Sequence, residues 1–348
     1  MKARYFLALL GAALLLLSCE ERIDIGDDGL GDQLMMDAQM STADTVHTVY
    51  LSLSRISGLF LAENATISCY VNGTLADSTG EVCKIVENPA GFQGHYKVAA
   101  YQIRARFAPG DKVKLTADAG ELHCEAEVSV PVAPMLKSAE FTQKSKREYK
   151  LAVDIEDNRG EYGYYFIRFY NTSYVQVIKA DVYPGHASKD YKPGDIVKRV
   201  NYEVAADTKQ EPLLRTGETY PGGAGDSQPS FFENEKNLFT DEMFRDGAYQ
   251  LNVEIKKYEE TVPTTIVDGD LLRSFNQLKV RLFHISKEEY VHLTGIQFRD
   301  SYESNSTLTG EFVYPHNVSG GLGFVAINAE SDIELLLYTR DFSIDNPF

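Results

Sequence analysis

The chain has 348 residues, of which 43% are hydrophobic and 24% are charged, as in an ordinary globular protein large enough for two domains. A formal net charge of −17 argues against nucleic acid and against an anionic membrane surface as partners, because both are themselves negatively charged. The absence of Trp further argues against a carbohydrate site built on indole rings.

The first twenty residues have the pattern of a bacterial lipoprotein signal peptide. A basic start with Lys2 and Arg4 leads into an apolar run over residues 5–17, which ends just before Cys19. The run is short for a permanent membrane-spanning helix, and the change to polar residues after it is abrupt. The sequence therefore predicts a signal peptide over residues 1–18 and a lipid on the thiol of Cys19. An ordinary secretory signal and an uncleaved anchor are the alternatives.

Residues 19–40 are predicted to form an acidic tether, because their first half is rich in Asp, Glu and Gly and poor in large apolar side chains. Loss of Lys2 and Arg4 with the signal changes the net charge from −17 to −19. In the bacterial lipoproteins that this start resembles, acidic residues after the cysteine mark export to the outer face of the outer membrane. The same residues would keep any tether solvated, so the periplasmic face remains the alternative.

Three further cysteines, Cys69, Cys83 and Cys124, lie in the first half of the chain. Outside the cytoplasm a pair of them would oxidise, and an odd number permits at most one bridge. Cys69 and Cys83 enclose a hairpin-sized loop, and a disulfide between them would add about 3 kcal/mol of stability. The alternative is three buried, unpaired cysteines that act as small apolar side chains. The spacing of a zinc site is absent from the sequence.

Residues 41–134 are predicted to form an Ig-like or transthyretin-like β-sandwich. Short segments alternate apolar and polar residues, as in half-buried strands, and turn dipeptides such as Asn72-Gly73 separate them. The predicted strands cover residues 45–53, 65–71, 82–86, 94–99, 112–117 and 121–130. Pro131 and Pro134 do not fit a central strand and therefore mark the boundary of this domain.

Residues 135–348 are predicted to form a larger β-rich domain with one covering helix. The predicted strands cover residues 137–141, 149–155, 164–170, 175–182, 249–255, 278–285, 324–327 and 333–338. Between them, a long polar and glycine-rich loop is predicted over residues 184–236. Loops of this length inside a domain are usually functional or mobile.

The helix is predicted to begin at Ser286, which has the spacing of a capping box to Glu289. Its apolar face is predicted from residues that recur three to four positions apart. These are Tyr290, Leu293 and either Ile296 or Gln297. Such a helix would cover one side of the C-terminal sheet.

One cluster of side chains is rich in oxygen and stands at the end of a predicted strand. Its members are Asp154, Glu156, Asp157 and Asn158. Calcium prefers such ligands, but their spacing does not match an EF-hand loop, and turn formation explains the residues better.

Glycines are concentrated at two places. Gly222, Gly223 and Gly225 fall in the long loop and lack the Lys-Ser/Thr of a phosphate-binding loop. The run from Gly320 to Gly323 is expected to relieve backbone crowding rather than to contact a ligand.

No catalytic motif is found in the sequence. The Gly-x-Ser-x-Gly elbow is absent, and the seven histidines are scattered without the spacing of metal ligands. We therefore expect no enzymatic activity, metal or cofactor. A hydrolase whose catalytic groups lie far apart in the sequence is the least favoured alternative.

Four stretches, together with the lipid-bearing cysteine and its acidic neighbours, match a known family. They are FAPGDKVKLTADAGELHCEAEVSVPVAP, LFTDEMFRDGAYQLNVEI, LKVRLFHISKEEYVHL and HNVSGGLGFVAINA. They resemble the outer-membrane lipoproteins of Bacteroidota grouped as domain of unknown function 4249. Phe324-Val325 departs from the family's more usual Ile-Phe-Gly, and residues 184–236 match no part of it.

The resemblance implies a setting beside TonB-dependent receptors in the outer membrane. The family has no established activity, so the expected role is that of a lipid-anchored accessory protein in uptake or assembly. The expected partners are the membrane, through Cys19, and a TonB-dependent receptor. A surface protein that captures a peptide, glycan or metal complex with residues 184–236 is the alternative function.

Overall fold

A computed structural model describes most of the chain from residue 31 onward. The described residues are 31–55, 57–87, 95–145, 148–157, 162–179, 194–208, 210–214, 234, 236–256, 271–303 and 316–343. Within these ranges the chain forms three β-sheets and one α-helix. This arrangement confirms the predicted class, a mainly-β protein of sandwich-like sheets with one helix.

Nine strands of the described chain precede the proline-rich boundary. They are β1 Gln33–Ser41, β2 Val46–Arg55, β3 Gly58–Phe60, β4 Thr66–Val71, β5 Thr74–Thr79, β6 Val82–Glu87, β7 His95–Arg104, β8 Lys112–Ala119 and β9 Leu122–Ser129. The β4–β5 turn is made by Asn72 and Gly73 with φ of 51° and 79°. Positive φ at both central residues defines the type I′ turn of a two-residue hairpin, so the predicted Asn-Gly turn is confirmed.

Nine further strands and the helix follow in the described chain. They are β10 Met135–Gln143, β11 Glu148–Glu156, β12 Tyr164–Lys179, β13 Ile196–Glu203, β14 Ala206–Asp207, β15 Leu238–Thr240, β16 Ala248–Lys256, β17 Leu271–Ile285, helix α1 Lys287–Glu303 and β18 Val325–Ser343. Two single 3₁₀ turns lie at Pro212–Leu214 and Asp241–Met243.

One large sheet runs through the described molecule. It has ten strands in the order β13-β12-β17-β18-β1-β2-β3-β7-β6, with β15 also paired to β12. Two four-stranded sheets, β5-β4-β8-β9 and β10-β11-β16-β14, complete the fold. Val325 and Ile327 of β18 belong to the core beneath the first small sheet, and Leu335 packs on the core beneath the second. Because these positions alternate regularly along one strand, both small sheets cover the same face of the large sheet.

The pairing of β1 with β18 joins the two ends of the chain. The strands run parallel, and Ala38 lies opposite Val325. The tether predicted over residues 19–40 is therefore shorter, since residues 33–40 belong to β1. Without the acidic residues that precede it, this stretch shows the apolar alternation of a strand. Every second side chain is buried: Leu34, Met36, Ala38 and Met40.

The predicted domain boundary at residues 131–134 falls between β9 and β10. Strands from both sides of this boundary share the ten-stranded sheet, because β1 pairs with β18. The division of the chain into residues 41–134 and 135–348 stays a prediction.

The predicted strands over residues 164–170 and 175–182 are one continuous strand, β12, over its described length. The polar residues Asn171 to Ser173 separate the two apolar runs in the sequence, but their side chains form hydrogen bonds within the sheet. The Asn171 amide donates to the Tyr202 hydroxyl at 2.5 Å, and the Asn276 amide donates to the Ser173 hydroxyl at 2.9 Å. These bonds satisfy polar groups that burial would otherwise penalise.

The prediction of one long loop over residues 184–236 is partly wrong. β13 lies inside it and pairs antiparallel with β12, and the short β14 pairs with β16. The sequence of β13, IVKRVNYE, alternates apolar and polar residues only weakly, so long-range pairing rather than local pattern defines it. Residues 184–193, 209, 215–233 and 235, which include the glycine run at 222–225, lie outside the described residues.

The disulfide between Cys69 and Cys83 is not formed in the structure. Cys69 and Cys124 are buried in the core beneath the first small sheet, whereas Cys83 is exposed on β6 of the large sheet. The two proposed partners thus stand in different sheets. Burial raises the pKa of the Cys69 thiol to about 11 and that of Cys124 to about 12.

We expect an aromatic disulfide reagent to modify one of these three thiols rapidly in the folded protein. Cys83 is the expected target, because a reactive thiol must be exposed and able to ionise. The measurement is the stoichiometry of thiol release before and after denaturation, with Cys83→Ser as the matched control. Release of no thiol by the folded protein would indicate the disulfide that the structure lacks.

Candidate functional site

Helix α1 covers part of the face of the large sheet that is opposite the two small sheets, here called the outer face. The hydroxyl of Ser286 accepts a hydrogen bond from the backbone N–H of Glu289 at 3.0 Å, which confirms the predicted helix start. Leu293 packs with Phe166 and Phe283 of the sheet, and the ring of Tyr290 lies 5.2 Å from that of Tyr164. The helix therefore lies over β12 and β17.

The side chain of Glu289 does not complete the predicted capping box. It turns under the helix, where only 2% of the residue is exposed. With the Asn328 amide oriented to donate, its nitrogen lies 2.6 and 3.0 Å from the two carboxyl oxygens of Glu289. Burial raises the pKa of Glu289 to about 8, and the Asn328 amide opposes this rise. The helix thus buries a carboxyl group against β18.

Glu289→Gln is expected to stabilise the protein at pH 8 and to have little effect at pH 5. Because the pKa of Glu289 is raised by folding, the folded state binds the proton more tightly, and stability falls as pH rises from about 4.5 towards about 8. Gln imitates the protonated carboxyl and should remove this loss, a gain of about 2 kcal/mol or more at pH 8. The measurement is urea denaturation of both proteins across this range.

Glu288→Gln is the matched control, because the Glu288 side chain is exposed on the same helical turn. It should change stability by only a few tenths of a kcal/mol at every pH. Parallel pH profiles of native protein and Glu289→Gln would show that the buried carboxyl does not titrate as described.

Beyond the helix, the outer face over β1, β2, β3, β7 and β6 carries an open groove, here called the outer groove. It consists of two adjoining cavities of about 370 and 440 Å³ that share Asp37 and Tyr50. The other described residues that line the first cavity are mainly apolar or aromatic: Met35, Ser52, Leu59, Val86, Tyr96 and Val98. The second reaches the helix and is lined further by Ala38, Gln39, Asp44, Val46, His47, Thr48, His292 and Phe324.

Asp37 lies where the two cavities meet. One of its carboxylate oxygens accepts a hydrogen bond from the backbone N–H of Phe324 at 2.9 Å. Burial raises the pKa of Asp37, while this hydrogen bond and the nearby His292 lower it. No Lys or Arg occurs among the described residues that line either cavity. The outer groove therefore holds a partly desolvated carboxyl group in largely apolar surroundings.

The two histidines of the second cavity have different surroundings. His292 projects from α1 and stacks on Phe324 with ring centroids 4.1 Å apart, which forms the helix-side wall of the groove. His47 is buried, stacks on Phe107 at 4.6 Å and has its Nε2 atom 3.2 Å from the carbonyl oxygen of Ala105. Burial lowers the pKa of His47, so its neutral ring donates to that carbonyl.

The oxygen-rich cluster at the end of β11 is divided among separate partners. Asp154 accepts hydrogen bonds from Ser138 and Gln250, and Glu156 pairs with Lys137. Asp157 accepts a hydrogen bond from the hydroxyl of Tyr165, and Asn158 lies outside the described residues. Among the described residues, no group of three His, Cys, Asp or Glu side chains is arranged to hold a metal ion.

The glycine run before β18 passes between β1 and β9. The N–H of Met36 donates to the carbonyl of Leu322 at 2.9 Å, and the N–H of Glu125 donates to Ser319 at 2.9 Å. A Cβ atom added to Gly321 would meet the carbonyl oxygen of Leu34 and would lie 2.8 Å from the Cβ of Cys124. The glycines thus allow close backbone approach, as the sequence predicted.

The lipid site predicted at Cys19 lies outside the described residues. Among the residues that the structure does describe, no helix is both long enough and apolar enough to cross a bilayer. Asp37 was missed by sequence reasoning, because it fell inside the predicted tether. The alternation of Leu34 and Met36 with Asp37 was the signal that could have placed it on the outer face of a strand.

Fold and groove together define a β-rich protein with one extended sheet and an open surface site. The family model described as domain of unknown function DUF4249 matches residues 20–334. The chain therefore belongs to the DUF4249 family, and the resemblance seen in its sequence motifs is confirmed.

Comparisons with other proteins add little. No curated protein matches the chain. Bovine butyrophilin is 10% identical, with 71% of this chain and 92% of that chain covered and a TM-score of 0.18. β-Glucuronidase 3 of Bacteroides uniformis is 9% identical, with 70% and 23% covered and a TM-score of 0.17. Likenesses this weak carry no argument about function.

Proposed function

We propose that the protein is a lipid-anchored accessory protein of the outer membrane, without enzymatic activity of its own, which partners a TonB-dependent receptor. The lipid is carried by Cys19, and the folded part faces the cell exterior. The signal-like N-terminus supports the anchor, and the family resemblance supports the setting.

The outer groove is the observation that carries a binding role. Tyr50 and Val46, both on the groove side of β2, are 42% and 39% exposed. Exposed apolar side chains that lie together on one surface usually mark an interaction site. The described lining of the first cavity is mainly apolar and aromatic, which favours a binding role.

Co-isolation from native outer membranes tests this function. The full chain with an affinity tag at its C-terminus is purified after mild detergent solubilisation, and bound proteins are quantified by mass spectrometry. We expect one TonB-dependent receptor in near-equimolar amount, with another abundant outer-membrane lipoprotein, tagged in the same way, as the control bait. Recovery of the chain without any such receptor, or equal recovery by the control bait, would contradict the proposal.

A further inference from the structure

We propose that the outer groove binds a Lys or Arg side chain carried by an extended segment of a partner protein, with the cationic group placed against Asp37. The inference rests on the proposed accessory function for the identity of that partner. The groove itself specifies only the chemistry of the segment that it accepts.

Charge is the first reason. Asp37 accepts the Phe324 N–H with one oxygen, and a carboxylate can accept several further hydrogen bonds. A second carboxylate, Asp44, lines the adjoining cavity, while no described lining residue is Lys or Arg. Two acidic side chains with no Lys or Arg among these lining residues favour a cationic ligand.

Two histidines also line the second cavity, but a histidine is not a permanent cation as Lys and Arg are. His47 is held as a neutral ring by burial, which lowers its pKa. His292 projects from the second turn of α1 and stacks on Phe324 at the wall of the second cavity, where it lowers the pKa of Asp37.

Shape and polarity are the second reason. Lys and Arg bury their methylene stems on apolar surface and keep the charged end near polar groups. Met35, Leu59 and Val98 offer such a surface, and Tyr50 and Tyr96 add aromatic rings that can contact a cation. An apolar wall that leads to one carboxylate thus matches a long basic side chain.

The openness of the groove favours a protein segment over a small molecule. Small-molecule sites usually enclose most of the ligand surface, whereas this groove lies along the open outer face of the sheet. On the same face of the sheet, Tyr50 and Val46 of β2 are 42% and 39% exposed, so the contact surface extends along this strand. A partner of protein size would cover these residues as well.

The test is site-specific photo-crosslinking in native membranes. Benzoylphenylalanine replaces Tyr50 in the full anchored chain, and Leu75 in a control protein, because Leu75 is 53% exposed on β5 of the first small sheet. After irradiation, cross-linked peptides are identified by mass spectrometry. We expect the probe at position 50, but not at 75, to capture a defined peptide of another protein that contains Lys or Arg.

Asp37→Asn supplies the matched charge variant. Asn keeps an oxygen to accept the Phe324 N–H and removes the charge, so the fold should be retained, which thermal unfolding checks. The cross-linking yield at position 50 should fall about tenfold. Undiminished yield, capture of lipid, capture of a second copy of this chain, or capture of peptides without Lys or Arg would each overturn the inference.

The identity of the captured protein separates the two proposals. A Lys- or Arg-bearing peptide from a protein other than a TonB-dependent receptor would contradict the proposed function and support the groove chemistry. Co-isolation of the receptor without cross-linking at position 50 would support the proposed function and contradict the groove chemistry.

Discussion

Cys19→Ala is expected to move the protein out of the membrane fraction almost completely. The proposed attachment depends on acyl chains on this thiol, at about 0.8 kcal/mol for each buried methylene, and one chain alone would give only marginal binding. The measurement is the distribution of the protein between membrane and supernatant after cell lysis and ultracentrifugation.

Cys83→Ala is the matched control, because it also removes an accessible thiol and should leave the protein on the membrane. Mass spectrometry of the native N-terminal peptide should show a lipid-modified Cys19. Retention of Cys19→Ala on the membrane, or an unmodified thiol at this position in the native protein, would refute the anchor.

Gly323→Ala is expected to destabilise the fold by about 3 kcal/mol or more. Gly323 has a φ of +109°, which L side chains rarely adopt, and its Cβ would collide with the carbonyl oxygen of Met36. Met36 lies on β1, so the collision would disturb the pairing of β1 with β18. Chemical denaturation with native protein as reference measures the loss.

Two glycine variants separate the collision from the backbone strain. Gly73 has a φ of +79° and no atom within 4 Å of an added Cβ, so Gly73→Ala should cost only about 1 kcal/mol. Gly321→Ala adds a collision with Leu34 at a φ that needs no glycine, and its cost should lie between the other two. Equal losses for Gly73→Ala and Gly323→Ala would mean that close packing of the glycine run does not stabilise the fold.

Local pattern predicted most of the strands, because half-buried strands alternate and their turns have distinct residues. The Asn72-Gly73 hairpin and the β8–β9 hairpin appear where the sequence placed them. The helix start at Ser286 was also predictable, since capping depends on residues that are neighbours in the sequence. These features need no knowledge of distant parts of the chain.

Long-range pairing could not be predicted in the same way. The parallel contact between β1 and β18 joins residues almost three hundred positions apart, such as Ala38 and Val325. Only this pairing makes residues 33–40 a central strand instead of a tether. The burial of Glu289 likewise depends on Asn328 of β18, which no pattern within the helix reveals.

The outer groove is a product of the same pairing. Asp37 comes from β1, Tyr50 from β2, Val98 from β7 and His292 from the helix, so no single stretch of sequence contains the site. Its open character depends on where the helix stops covering the sheet. The predicted lipid signal, by contrast, is contiguous and depends on residues 1–19 alone.

Amide hydrogen exchange is the most direct test of a partner bound in the outer groove. Exchange is measured for the protein alone and for the protein co-isolated with the proposed receptor. We expect slower exchange in the complex for peptides from residues 46–55 and 82–87, since β2 lines the groove and β6 is the free edge beside it. Unchanged exchange in these peptides, with slower exchange confined to the β8–β9 hairpin or to β13, would contradict the account.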